Sequence, residues 1–235
     1  GRSFKGTGDL AQKILAAFGY PLTGAQQRSL GEIHADQEKP ERMLRLLQGD
    51  VGSGKTVVAL LAMANVIESG AQAAMMAPTE ILARQHFESL RRMAEPTGAR
   101  VALLTGRDKG RAREATLMGL ADGSIDILVG THAIFQEAVR YKALGLAVID
   151  EQHRFGVHQR LSLTEKGKRA DLLVMTATPI PRTLVLAAFG DMDVSRLQGN
   201  PAGRKPITTV ALPDERLPDI VQRIGSAIEQ GDRVY

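Results

Sequence analysis

Gly49-Asp50-Val51-Gly52-Ser53-Gly54-Lys55-Thr56 follows a short apolar run, Met43 to Gln48, and opens a long helical pattern, Lys55 to Ser69. The octet GDVGSGKT satisfies G-x-x-x-x-G-K-[ST], and strand, Gly-rich turn, helix is the order in which a backbone wraps an anionic phosphate. Gly49, Gly52 and Gly54 let the chain bend so that successive N–H groups converge, and the positive end of the following helix adds to the same field. Lys55 is expected to reach the β- and γ-phosphates of ATP, and Thr56 to ligate the Mg²⁺ ion that bridges them. On this Walker A reading the whole loop, Gly49 through Thr56, binds nucleotide. The competing reading, an ordinary Gly-rich turn, does not account for the strand before the loop and the helix after it.

A phosphate cradle names no reaction, so an acidic pair is sought at the end of a later apolar strand. Leu146 to Glu151, LAVIDE, supplies it. A strand buried on both faces of a parallel sheet reads as a continuous apolar run, and its carboxyl end is where ligands sit in open α/β folds. Asp150 is then placed to hold Mg²⁺, directly or through water. Glu151 follows as the general base that orients and deprotonates the attacking water. The catalytic expectation is thus Glu151, Lys55 and Asp150.

The remaining chain agrees with this class. Apolar runs at Met43 to Gln48, Ala73 to Ala77, Val101 to Leu104, Ile125 to Gly130, Leu146 to Asp150 and Leu172 to Thr176 alternate with helical patterns at Lys55 to Ser69, Glu80 to Ala94, Arg111 to Ala121 and Arg182 to Phe189. That alternation predicts an α/β fold with a mostly parallel sheet and helices on both faces. Thr79 has the chemistry of an N-cap before Glu80. With 43% hydrophobic residues over 235 positions, the chain has enough apolar surface for a substantial core. Cysteine is absent, which excludes a disulfide framework and Cys-based metal sites. No apolar run approaches the ~18 residues of a membrane span, and the N-terminus lacks a signal-peptide core, so a cytoplasmic protein is expected. The net charge of +4 is a modest cationic bias.

Four domain-level segments are expected: 1–21, an N-terminal helix or linker remnant built on the amphipathic DLAQKILAAF; 22–197, the nucleotide-binding domain; 198–212, a Gly- and Pro-rich linker; and 213–235, the start of a second domain. The last segment ends in what reads as the opening of a strand, which suggests a piece of a longer protein.

Further constellations turn a nucleotide hydrolase into a motor on nucleic acid. Asp150-Glu151-Gln152-His153 reads DEQH and resembles the DExH boxes of superfamily 2 helicases; the resemblance places His153 where it couples γ-phosphate state to a neighbouring lobe. Thr176-Ala177-Thr178-Pro179, after the last core strand, resembles the S/T-A-T motif of that superfamily, making Thr176 and Thr178 coupling residues. Leu22-Thr23-Gly24-Ala25-Gln26 lies at a distance suited to a Q-type motif, in which Gln26 reads the adenine edge; a solvent-facing Gln at a helix start is the alternative. Thr79 with Arg84, Gly106 with Arg107, and Thr131 with His132 sit in loops after strands on the nucleotide edge and offer hydroxyls, cations or helix N-termini to phosphate oxygens. Lys109 and Arg111 extend them through the cationic stretch RDKGRAR, Arg107 to Arg113, whose competing reading is a solvated helix face. With 4% aromatics and no stacking ladder, grip through phosphates is expected over stacked bases.

GDVGSGKT, MAPTEILARQH (Met76 to His86), VGTHAIFQ (Val129 to Gln136), DEQHRFGVHQR (Asp150 to Arg160), MTATPIPRT (Met175 to Thr183) and GRKPITT (Gly203 to Thr209) together resemble the RecG family of DExH helicases. The resemblance covers Leu22 to Tyr235 and implies a RecA-like P-loop NTPase lobe. It further implies an ATP- and Mg²⁺-dependent helicase acting on branched or duplex DNA, in fork reversal, Holliday-junction migration, repair and recombination, and a monomer. Transcription-repair-coupling translocases share a similar core; Gln152 and the HQR after FGV favour RecG. An ATP-gated binding module without movement is the other alternative, and Glu151 argues against it. A wedge domain before Gly1, and a second lobe with arginine fingers and a hairpin element after Tyr235, are implied as partners in the same protein. Without those fingers the piece alone is expected to hydrolyse ATP slowly or not at all. NPAGRKP (Asn200 to Pro206) departs from the PPGR wording usual in the family's linker.

Overall fold

The apolar runs that end at Gly49, Met76 and Leu104 become parallel strands because each is followed by a helix that carries the chain back across the sheet. The computed structural model describes residues 3–150, 170–178, 192–198 and 209–231. In chain order the described elements are α1 (Asp9–Phe18), α2 (Gly24–Gln37), β1 (Leu44–Gly49), α3 (Lys55–Glu68), β2 (Gln72–Met76), α4 (Glu80–Ala94), β3 (Val101–Leu104), α5 (Gly110–Asp122), β4 (Ile127–Gly130), β5 (Leu144–Asp150), β6 (Asp171–Thr176), β7 (Asp193–Leu197) and α6 (Leu217–Glu229). The seven described strands form one sheet in the order β3-β4-β2-β5-β6-β1-β7, every pair parallel.

Each strand feeds two cores. Leu47, Ala73, Met75, Ile127, Val129, Leu146, Val148, Leu173 and Met175 face one cluster with α1 to α4. Their neighbours Leu46, Ala74, Met76, Leu128, Ala147, Ile149 and Val174 face the other, with Leu120 of α5, Ile134 and Phe135. The period of two along a pleated strand, with both faces covered, explains why these strands lack polar alternation. Helix α3 is apolar nearly all round, Val57 through Ala64 and Val66 being buried, because it lies beneath α1 and α2 as well as on the sheet.

The chain divides into two units, Gly1–Pro201 and Ala202–Tyr235. In the first, the N-terminal helix belongs to the core: Phe4 and Ile14 are buried in the same cluster as α3. In the second, a 3-10 turn at Asp214–Arg216 leads into α6, whose Leu217, Val221 and Ile228 are exposed. No helix among the described residues is long and apolar enough to cross a membrane.

Two described elements were not anticipated. Helix α2, GAQQRSLGEIHADQ, carries too few apolar residues and too many helix-indifferent ones to announce itself; a capping box, in which Thr23 and Gln26 satisfy each other's backbone N–H, and buried Ile33 and Gln37 hold it. Strand β7, DVSRL, alternates because it is the sheet's edge next to β1. The expected helix at Arg182 to Phe189 lies outside the described residues, as does much of the expected linker.

Candidate functional site

Parallel register brings the strand ends level. Leu104 lies opposite Gly130, Gly130 opposite Met76, Met76 opposite Ile149, Asp150 opposite Met175, Thr176 opposite Gln48, and Gly49 opposite Leu197. Every loop that carries a candidate residue therefore leaves the same edge of the sheet.

The Gly-rich loop leaves β1 there. Gly52 and Gly54 adopt φ of 81° and 84°, the left-handed region in which a side chain is strained. A Cβ on Gly54 would come 2.2 Å from Gln26 Nε2, and one on Gly49 would come 2.6 Å from Ser53 Oγ. Gly54 caps α3 without a side chain, so the first N–H groups of α3 are left for a ligand at its positive end. Ser53 Oγ is buried with no hydrogen-bond partner among the described residues. An uncapped helix, an orphaned hydroxyl and a cradle that side chains would fill fit a polyphosphate.

Lys55 Nζ donates to the carbonyl oxygens of Gly49 and, at 2.9 Å, Asp50. Burial away from water holds its ammonium below the ordinary lysine range, while the charges of Asp150 and Asp50 pull it back up. Incoming phosphate oxygens offer this cation stronger, charged acceptors than the two carbonyls.

Gln26 meets the same loop from α2. Its Oε1 accepts from Thr23 N at 2.8 Å, and its Nε2 donates to Ser53 O at 2.9 Å. The amide thus ties the helix cap to the phosphate loop, and a second Nε2 hydrogen and an Oε1 lone pair remain for an adenine edge. At the end of β6, Thr176 Oγ1 and Thr178 Oγ1 are 3.0 Å apart, Thr178 N donates to Thr176 Oγ1, and Gln48 Nε2 donates to Thr178 O at 3.4 Å, which binds the turn after β6 to the end of β1.

Asp150 ends β5 with only 8% of its surface exposed, and its Oδ2 lies 2.6 Å from His86 Nε2. That partner was missed in sequence. Its signal was position: on α4, Ala83, Leu90 and Ala94 are buried at helical spacing and His86 falls on their stripe, where a polar ring needs a partner. Glu151 and His153 lie outside the described residues.

The candidate DNA contacts leave β2, β3 and β4. Thr79 caps α4, its hydroxyl accepting from Leu82 N at 3.3 Å, and Arg84 is exposed. Arg107 Nε pairs with Glu80 at 3.1 Å, tying the loop after β3 to the first turn of α4. Asp108 accepts from Thr105 N and Oγ1 and stiffens the same loop, with Gly106, Lys109 and Arg111 exposed. After β4, His132 is exposed and Thr131 is buried, so of that pair the ring, not the hydroxyl, presents itself to solvent.

A family model described as DEAD/DEAH box helicase matches residues 23–186. The ATP-dependent DNA helicase RecG of Escherichia coli K12 is 51% identical over 231 residues, which cover 96% of this chain and 33% of that protein. Its Bacillus subtilis counterpart is 52% identical over 223 residues, covering 95% and 33%. A solved structure of RecG bound to a three-way DNA junction aligns with a TM-score of 0.80 at 43% identity, over 98% of this chain and 31% of that one. Yeast Dbp5 bound to RNA and ADP BeF3 shares the fold, with a TM-score of 0.61 at 20% identity over 80% of this chain and 49% of that one. The chain spans about a third of the length of the curated relatives it matches.

Proposed function

Because the chain belongs to the DEAD/DEAH box helicases, which use ATP, we propose that it is the first RecA-like motor lobe of a RecG-type DNA helicase acting on branched DNA, in fork reversal and Holliday-junction migration. The observation that carries this reading is the single level edge on which the Gly-rich loop, Asp150 and the Thr176–Thr178 turn adjoin, since β1, β6 and β5 are consecutive neighbours in the sheet. The N–H groups of Gly52 to Thr56 cradle the phosphates, and Lys55 leaves its loop carbonyls to neutralise charge that develops on the transferred group. Thr56 and Asp150 are the oxygen ligands that would hold Mg²⁺, whose charge would offset that of the phosphates. Glu151, next in sequence to Asp150, takes the proton of the attacking water. Thr176 and Thr178 sense the outcome and His153 passes it to a second RecA-like lobe, which with a wedge domain completes the motor in a cytoplasmic monomer.

The DNA side of the edge holds phosphates through Thr79, Arg84, Gly106, Arg107, Lys109, Arg111 and His132, giving grip without sequence preference.

The test is ATP turnover by the full-length protein, with and without forked DNA. Forked DNA accelerates turnover; Glu151→Gln lowers it by roughly 10²- to 10⁴-fold with nucleotide binding retained, and Lys55→Ala abolishes nucleotide binding at an unchanged melting temperature. Turnover indifferent to DNA points instead to an ATP-gated binding module, and full activity in Glu151→Gln removes that residue from its role.

A further inference from the structure

Helix α4 places one polar ring among its inward-facing residues. Ala83, Leu90 and Ala94 are buried, Phe87 packs against the same core, and His86 stands between them with a side chain only 15% exposed. Its contact is not with core but with Asp150, 64 residues away on β5, through a 2.6 Å bond between Nε2 and Oδ2. A carboxylate accepts only, so Nε2 carries the hydrogen. The bond is short and charge-assisted, and both partners are largely withdrawn from water, where such a bond holds its geometry most firmly.

We propose that His86 is a positioning residue: its ring N–H holds one oxygen of the Asp150 carboxylate and leaves the other for the cation. The proposal rests on the reading of Asp150 as a Mg²⁺ ligand. Without the ring, Asp150 keeps a buried oxygen without a donor and a carboxylate free to turn toward Lys55, whose charge it already feels. Partners that orient a metal ligand typically matter by 10- to 100-fold in metal affinity. The contact also crosses the junction of β2 and β5, since α4 follows β2 directly. The helix that begins at Thr79, among the candidate DNA contacts, is therefore the one that grips the metal-binding carboxylate.

Mn²⁺ serves as the probe, because loss of the free-ion electron paramagnetic resonance signal reports binding directly and needs no turnover. Titrations with ADP present compare wild type, His86→Ala, His86→Gln, Asp150→Asn and the double variant Asp150→Asn/His86→Ala. The expected result is a roughly 10- to 100-fold weaker Mn²⁺ affinity in His86→Ala, most of it restored in His86→Gln, whose amide N–H donates from a similar reach. Affinity for ADP without metal stays unchanged. Asp150→Asn weakens Mn²⁺ at least as much, and adding His86→Ala to it has no further effect. Where His86→Ala does not fold, His86→Met fills the same stripe without a donor and must behave as the Ala variant does. Wild-type Mn²⁺ affinity in His86→Ala or His86→Met, with Asp150→Asn impaired, overturns the positioning role alone. Wild-type affinity in Asp150→Asn overturns the ligand reading beneath it.

Discussion

Asp171 opens β6 at the edge of the sheet opposite the candidate site, and its carboxyl is held in two unlike ways. Oδ1 accepts from Met43 N at 2.9 Å, whereas Oδ2 is buried without a partner among the described residues. Burial raises its pKa from 3.8 to about 7, against the pull of the Met43 N–H and the Arg42 guanidinium and with some help from the charge of Asp36. The folded chain therefore keeps the proton where the unfolded chain has lost it. The stability this group contributes is complete below about pH 4, declines as pH rises and is gone above about pH 7. Asp171→Asn keeps the Oδ1 acceptor and cannot ionise. It should match wild type near pH 4 and exceed it by about 4 kcal/mol at pH 8, or about 12 °C in melting temperature for a chain of this size. Parallel melting curves for the two proteins between pH 4 and 8 would remove the buried charge from the account. Gly130 illustrates the other kind of single-residue demand: a Cβ there would lie 2.0 Å from the carbonyl oxygen of Leu104, so β4 can end beside β3 only with glycine. The sequence motif VGTHAIFQ marked this position, but nothing in one chain says that its glycine serves strand packing.

At the scale of elements, the P-loop helix and the acidic strand end were legible because each has a local signature: glycines and lysine at fixed spacing, and a carboxylate closing an apolar run. What was not legible depends on partners distant in sequence. Helix α1 starts at Gly8 without a side-chain cap of its own, and the cap comes from the end of α3: Glu68 accepts from Gly8 N at 2.9 Å, Leu10 N at 2.5 Å and Thr7 Oγ1 at 3.2 Å. A carboxylate at the positive end of a helix is favourable in charge as well as in hydrogen bonding. Asn65 continues the clasp, accepting from Gly6 N and donating to Phe4 O and Gln37 Oε1. The amphipathic pattern of α1 predicts a helix, either packed on the core or left from a preceding domain, and only the fold reveals which residues seat it. Glu68→Ala leaves several N–H groups at the start of α1 without an acceptor and should cost about 2 kcal/mol. Proteolysis within residues 3–18 should accelerate as α1 loosens, while Mn²⁺ and ADP affinity remain as in wild type. Equal cleavage rates in variant and wild type would show that apolar packing of Phe4 and Ile14 alone seats the helix.

Across the whole molecule, strand order separates the candidate nucleotide site from the candidate DNA contacts, which sequence order interleaves. β5, β6 and β1 are consecutive in the sheet and carry Asp150, the Thr176–Thr178 turn and the Gly-rich loop; β2, β4 and β3 form the other half and carry the loops with Thr79, His132 and Arg107. The halves meet between β2 and β5, the seam crossed by His86 and Asp150. Phosphate contacts on the second half should therefore be separable from nucleotide binding on the first. Arg107 is the sharpest case because it already has an anionic partner, Glu80, through Nε, while its guanidinium is largely exposed and keeps other N–H donors. Arg107→Ala should weaken duplex and forked DNA by a similar factor and reduce the slope of log K against log salt by about 0.9, the value for one phosphate. Glu80→Gln should act in the opposite direction, releasing the cation and tightening DNA, and neither change should alter ADP affinity. A salt slope unchanged by Arg107→Ala would assign the residue to its bond with Glu80, a brace between α4 and the loop after β3, and would leave Lys109, Arg111 and Arg84 to hold the backbone.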